Sequence, residues 1–101
     1  MSRVSWTSEA RARLQAIEHY IERDSPKAAK AVVRRILGRS RQLETAPLSG
    51  RRVPEYQRND IRELHERPYR IIYRVAEDRV EVLTLMHDRQ LLPEDLTPPS
   101  G

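Results

Sequence analysis

The stretch from Ile61 to Met86, IRELHERPYRIIYRVAEDRVEVLTLM, decides the fold. Its side chains alternate in character, and an alternation of period two sends neighbouring side chains to opposite faces of a strand. Three strands are predicted, Ile61 to Glu66, Tyr69 to Ala76 and Arg79 to His87, separated by Arg67-Pro68 and Glu77-Asp78. They make an antiparallel meander. A two-residue loop at Glu77-Asp78 sets Arg74 across from Glu81, Ile72 across from Leu83 and Tyr73 across from Val82, so that opposite charges meet. One face, with Tyr69, Ile71, Tyr73, Val75, Val80, Val82 and Met86, is expected to lie against helices. The other, with Arg70, Ile72, Leu83, Leu85 and His87, is expected to be more open, yet it is too apolar to meet bare solvent. A partner segment, or Leu91 and Leu92, should cover it.

Upstream the period changes. Val4, Ser5 and Trp6 read as a short strand, followed by Thr7 or Ser8 as a helix N-cap with Glu9 in the favourable first turn. Ala10, Leu14, Ile17 and Ile21 then recur at helical spacing and form one buried face. Ser25 and Pro26 open a second helix, because proline at the first helical position lacks only an N–H that would have no partner. Its apolar side carries Ala29, Val32, Val33, Ile36, Leu37, Ser40 and Leu43, while Lys27, Lys30, Arg34 and Arg41 fall on another stripe. Only Arg23, Asp24 and Ser25 separate the two patterns, which favours an antiparallel helical hairpin. Pro47, Gly50 and Pro54 break periodicity in PLSGRRVPEY, a loop bearing Arg51 and Arg52 that links helices to sheet. The predicted class is α+β: a short N-terminal strand, a helical hairpin, then a three-stranded antiparallel meander with the helices on one face.

A chain of 101 residues suits one domain that buries roughly two thirds of its unfolded surface. That domain is expected to span residues 1–92, with a mobile, proline-rich tail at 93–101. The sequence has no cysteine, so disulfides and thiolate chemistry are excluded, and His19, His65 and His87 lack the close pairing of common zinc motifs. No metal or other cofactor is expected. No apolar run approaches the ~20 residues of a membrane span, and Arg3, Arg11 and Arg13 interrupt any secretory-type segment. A soluble, cytoplasmic protein is the expectation. The net charge of +4 is uneven: ten Lys/Arg stand against five Asp/Glu through Gly50, and nine against ten afterwards. Most such stripes keep a helix solvated; an anionic partner is the minority reading.

The run IRELHERPYRIIYRVAEDRVEVLTLMHDRQ resembles the C-terminal sheet of the RelE/ParE superfamily of toxins from type II toxin–antitoxin modules. Trp6 followed by TSEARARLQAIEHYIERDSPKAA is similar to that family's first strand and helical hairpin, and SGRRVPEY to the loop entering its sheet. The resemblance covers residues 4 to 92 and is nearest to ParE-like members. It implies a plasmid-stabilisation type of toxin neutralised by a small antitoxin that wraps its surface. RelE-like members cleave messenger RNA in the ribosomal A site; ParE-like members poison DNA gyrase.

Aligned on Tyr69-Arg70, RelE-type nucleases carry lysines where this chain has Ile61 and Glu63. Arg70 and Arg89 match two nuclease arginines, but the late catalytic tyrosine has no counterpart, Asp95 falling near its spacing. Cleavage through a 2′-hydroxyl needs a proton acceptor, a proton donor and cations for the phosphorane, and a carboxylate in place of a lysine repels the phosphate. The leading expectation is therefore a gyrase inhibitor that performs no chemistry. The alternatives are a ribosome-dependent ribonuclease using Arg70, Arg89 and His87, and a non-toxic nucleic-acid-binding module. Antitoxin or target contacts are expected at Arg51, Arg52, Arg70, Ile72, Arg74, Leu83, Leu85, His87 and Arg89, with an amphipathic antitoxin peptide filling the Ile72, Leu83 and Leu85 patch and offering carboxylates to Arg70 or Arg74. Arg70 also has a structural reading, as the partner of an acidic neighbour such as Glu63. The free patch would drive self-association, to a homodimer or a toxin–antitoxin heterotetramer.

Overall fold

The computed structural model describes residues 2–90 and 92. Strand β1 (Arg3–Trp6) leads into helices α1 (Ser8–Glu22) and α2 (Pro26–Arg41), a short 3-10 turn (Gln42–Glu44), and strands β2 (Arg51–Arg52), β3 (Ile61–Glu66), β4 (Tyr69–Val75) and β5 (Arg79–His87). The caps are those the side chains favour. Thr7 Oγ1 accepts the Ala10 N–H at 3.0 Å, and Ser25 Oγ accepts that of Ala28 at 3.1 Å with Pro26 directly behind it. None of the described helices is long and apolar enough to cross a membrane.

The sheet is larger than the predicted meander. Its order is β1-β5-β4-β3-β2, with β1 parallel to β5 and every other pair antiparallel. Residues 51 and 52 of the predicted loop pair with Glu63 and Arg62, which makes them an edge strand. So short a strand leaves no alternation to read. The predicted tail at 93–101 and Leu91 lie outside the described residues.

The helices cover one face. There Leu64, Ile71, Tyr73, Val80, Val82 and Leu85 pack with Ala10, Ile36 and Leu43, flanked by Val4, Trp6, Leu14 and Ile17. On the opposite face Val53, Ile61, Ile72, Leu83 and Met86 form a second cluster, with Tyr56 and Leu92 against it. This second face is not an open patch: Ile72 is 0% and Leu83 3% exposed, under the segment that follows β2 and under Leu92. Three predicted facings are also reversed. Arg74 lies opposite Glu81 and Tyr73 opposite Val82, as the hairpin loop predicts, but Ile72 lies opposite Thr84, because the register shifts there and leaves Leu83 as an extra residue on β5. A bulge of one residue inverts the alternation beyond it. Leu85 therefore joins the helix-side core, His87 turns to that side opposite Tyr69, and Met86 turns to the other face. The Leu83 carbonyl accepts the Thr7 hydroxyl at 2.8 Å, so the side chain that caps α1 also holds the bulge.

Gly50 marks where the chain crosses onto the sheet. Its N–H donates to the buried Tyr73 hydroxyl at 2.9 Å and its carbonyl accepts from Arg62 at 2.9 Å. A methyl group there would overlap the Glu63 carbonyl oxygen and Tyr73 Oη. Burial raises the Tyr73 pKa, with the Gly50 N–H opposing it, so the phenol stays protonated and can orient its lone pairs to Gly50. Gly50→Ala is expected to cost about 1–3 kcal/mol through overpacking, and Tyr73→Phe about 1–3 kcal/mol by leaving a buried N–H unpaired. Urea unfolding midpoints check both; wild-type midpoints would contradict this close packing.

Candidate functional site

On the face away from the helices, the alternation of β3 and β4 sets Glu63, His65 and Arg70 side by side, with His65 directly opposite Arg70. Arg51 comes alongside from β2, in register with Glu63. The Glu63 side chain is 0% exposed and each of its oxygens takes an arginine: Arg70 Nε donates to Oε1 at 2.6 Å and Arg51 Nε to Oε2 at 2.7 Å. Glu55, on the segment beyond β2, then closes the free end of the Arg70 fork, accepting from Nη1 and Nη2 at 3.2 Å each. A buried carboxylate is tolerated only when matched in this way, since several kcal/mol of desolvation per ion must be offset by close, charge-assisted bonds.

Electrostatics follow the geometry. Burial works against the Arg70 charge, but the hydrogen bonds to Glu55 and Glu63 outweigh it and hold its pKa above the usual value. The Arg70 fork likewise holds Glu55 below the ordinary carboxylate range, against its partial burial. Nearby, His65 Nε2 stands 3.4 Å from Glu63 Oε1 and Nδ1 3.9 Å from Asp88 Oδ1, and Arg67 Nη1 donates to Asp88 Oδ2 at 3.2 Å. Arg51, Pro54, Glu55, His65, Arg67, Arg70 and Asp88 line a shallow cleft of about 370 Å³.

A family model described as the ParE toxin of the type II toxin–antitoxin system parDE matches residues 4–92. The chain belongs to the ParE toxin family. It is 41% identical to "Putative toxin Y4kP" of Sinorhizobium fredii (strain NBRC 101917 / NGR234) over 96 residues, covering 93% of this chain and 96% of that one. Its fold is similar to a chain of the chromosomal ParDE toxin–antitoxin system from P. aeruginosa, at a TM-score of 0.71 and 28% identity over 86% of this chain and 96% of the other. The toxin–antitoxin complex RelBE2 from Mycobacterium tuberculosis shares the fold, with a TM-score of 0.58 and 22% identity over 93% of each chain.

In this ParE-family chain the predicted site residues do not converge. Arg70 is 7% exposed and engaged on both ends of its fork, which matches the structural reading of it and removes it as an open carboxylate receptor. Ile72, Leu83 and Leu85 are buried within the chain. Arg74 pairs with Glu81 at 3.0 Å. His87 lies opposite Tyr69, its ring edge-on at 6.0 Å on the helix side, whereas Arg70 points to the other face. Arg89 and Arg52 are exposed; the Arg89 N–H donates to His87 Nδ1 at 3.2 Å, and Arg52 Nη1 donates to Asn59 Oδ1 at 2.9 Å.

Sequence reasoning missed Glu55 as a site residue; it read Glu63 as a missing lysine and as an acidic neighbour for Arg70, without placing it inside the sheet. The available signal was the count of charges: Arg70 and Glu63 both belong to the outward set of an apolar sheet face, and two such residues are found inside only as a pair. It also missed an apolar cleft of about 720 Å³ between α1 and the ends of β4 and β5, lined by Ala16, Ile17, Tyr20, Pro68, Tyr69 and Leu85, among others. Tyr20 is 70% exposed at its rim. The signal there was an aromatic residue off the Ala10-Leu14-Ile17-Ile21 stripe.

Arg70→Met leaves the sealed Glu63 carboxylate without its closest cation and should cost about 3–5 kcal/mol. Arg51→Met, on a side chain largely in solvent, should cost under about 1 kcal/mol. Adding Glu63→Gln to Arg70→Met should return part of the loss; a strictly additive double-mutant cycle in urea would contradict the pairing. Because the Glu55 pKa is depressed in the folded state, its contribution is present above the ordinary carboxylate pKa and fades as pH falls through the lower, folded value. Amide NMR shifts of Val53 and Tyr56 should therefore move on acidification in that range, and Glu55→Gln should abolish the transition.

Proposed function

We propose that this ParE-family chain is a toxin that acts in the cytoplasm by binding and poisoning DNA gyrase, performs no chemistry of its own, and is held inactive by an antitoxin. One observation carries the non-catalytic part: the only arginine at a nuclease-like strand position is saturated by two carboxylates, while His87 faces the opposite side of the sheet. A phosphate would have to displace Glu55 and then approach Glu63, an anion. Acid–base work on RNA needs proton-transfer groups within hydrogen-bond reach of one reacting centre, and Arg70, His87 and Arg89 offer no such centre. The purified protein should inhibit gyrase supercoiling and trap cleaved gyrase–DNA complexes, with no codon-specific cuts by primer extension on translated messenger RNA. A-site cuts that vanish in Arg89→Ala would establish the ribonuclease reading instead.

The antitoxin's apolar residues need another seat than the covered Ile72-Leu83 cluster. The α1 cleft beside Tyr20 is apolar and open, with Arg13 on its wall, and suits the amphipathic segment of an antitoxin. Tyr20→Asp should weaken toxin–antitoxin affinity at least tenfold by calorimetry with an unchanged melting temperature. An unaltered affinity would remove the cleft from the interface.

A further inference from the structure

Helix α2 carries Lys27, Lys30, Arg34, Arg35, Arg39 and Arg41 and not one acidic residue. Two of these cations are committed to the sheet: Arg35 and Arg39 approach Glu66 at 3.6 and 3.8 Å, and Arg39 Nη2 donates to the His65 carbonyl at 3.1 Å. The other four, Lys27, Lys30, Arg34 and Arg41, are exposed, and none makes an ion pair among the described residues. At about 100° per residue they share an arc of about 60°, on the side opposite the buried Ala29, Ile36 and Ser40, and at about 1.5 Å per residue they extend over about 21 Å. Gly38 borders the stripe, about 20° beyond Lys27, with open space around it. Asp24 and Glu44 stand only at its ends.

We infer that the outward face of α2 is a docking surface for the phosphate backbone of duplex DNA. Charge complementarity selects the partner class. A protein partner of ordinary affinity needs an apolar centre to its interface, and this stripe has none: the exposed large apolar residues of the described chain are Tyr20 and Leu48, both outside α2. A membrane-surface helix likewise needs an apolar side free to enter the headgroups, whereas that side of α2 is packed on the sheet. Duplex DNA carries a negative charge every ~1.7 Å of axis, so a rigid row of four cations meets several phosphates at once. The B-form major groove is wide enough to receive a helix, and the A-form groove of RNA is not. The inference is independent of the gyrase reading, because it is tested without gyrase.

Fluorescence anisotropy of a labelled 20-base-pair DNA, titrated with the full chain at several salt concentrations, tests it. Four phosphate contacts predict a log–log salt slope near ~3.6, a loss of roughly a hundredfold between 50 and 200 mM salt. The triple variant Lys27→Gln, Arg34→Gln, Arg41→Gln should drop the slope below ~1, and Lys30→Gln alone should lower it by ~0.9. The charge-matched variant Arg3→Gln, Arg11→Gln, Arg79→Gln, altered at exposed cations elsewhere, should bind within about twofold of wild type under the same counterion logic. Circular dichroism melts confirm folding of each. Equal losses in the two triple variants would reduce the effect to net charge and overturn the proposal. So would absent salt dependence, equally tight binding of polyglutamate, or equal or tighter binding of an RNA duplex.

Discussion

The outer half of this molecule depends on one buried carboxylate. Glu63 is sealed in the sheet, with Arg70 at 2.6 Å on one carboxylate oxygen and Arg51 at 2.7 Å on the other. Satisfying it places demands on three elements at once. β2 must pair with β3 to bring Arg51 into register, β4 must keep its alternation to aim Arg70 outward, and the segment beyond β2 must supply Glu55 for the rest of the guanidinium. That segment also delivers Val53 and Tyr56 onto Ile61, Ile72 and Leu83, so the polar network and the second apolar cluster hold each other in place. Such networks contribute conformational definition more dependably than net stability, since an apolar replacement often does as well energetically.

The arrangement bears directly on function. A sheet covered by helices on one face and by its own chain on the other has little strand surface left for a reaction or a partner. Interaction is left to the edges and the helices, where the α1 cleft with Tyr20 and the cationic row of α2 lie on different flanks of the hairpin. On the proposed reading these surfaces serve binding, and two separate surfaces permit one partner to be held without blocking the other.

The bulge at Leu83 shows how far a local device reaches. One extra residue on β5, its carbonyl held by Thr7, moves Leu85 into the helix-side core and Met86 out of it. The same threonine caps α1, so the helical layer and the sheet are fastened at the point where the alternation inverts. A face assignment made by parity is correct from Arg79 to Leu83 and inverted after it.

The sequence by itself determined the elements other than the two-residue β2. Periods of two and about 3.6, the caps Thr7 and Ser25, and Pro26 specify strand, hairpin and sheet, because these signals act between residues a few positions apart. It also made the Arg74–Glu81 register legible through the two-residue loop, and the family through IREL, YRIIYRV and VLTLMHDRQ in order. Only the tertiary structure decided what covers the outer face, which arginine is spent and which is free, and where the apolar cleft lies. Those depend on residues far apart in the chain, such as Glu55 with Arg70 or Thr7 with Leu83, whose meeting is set by packing and by the need to match a buried charge, and which carry no periodic mark of their own.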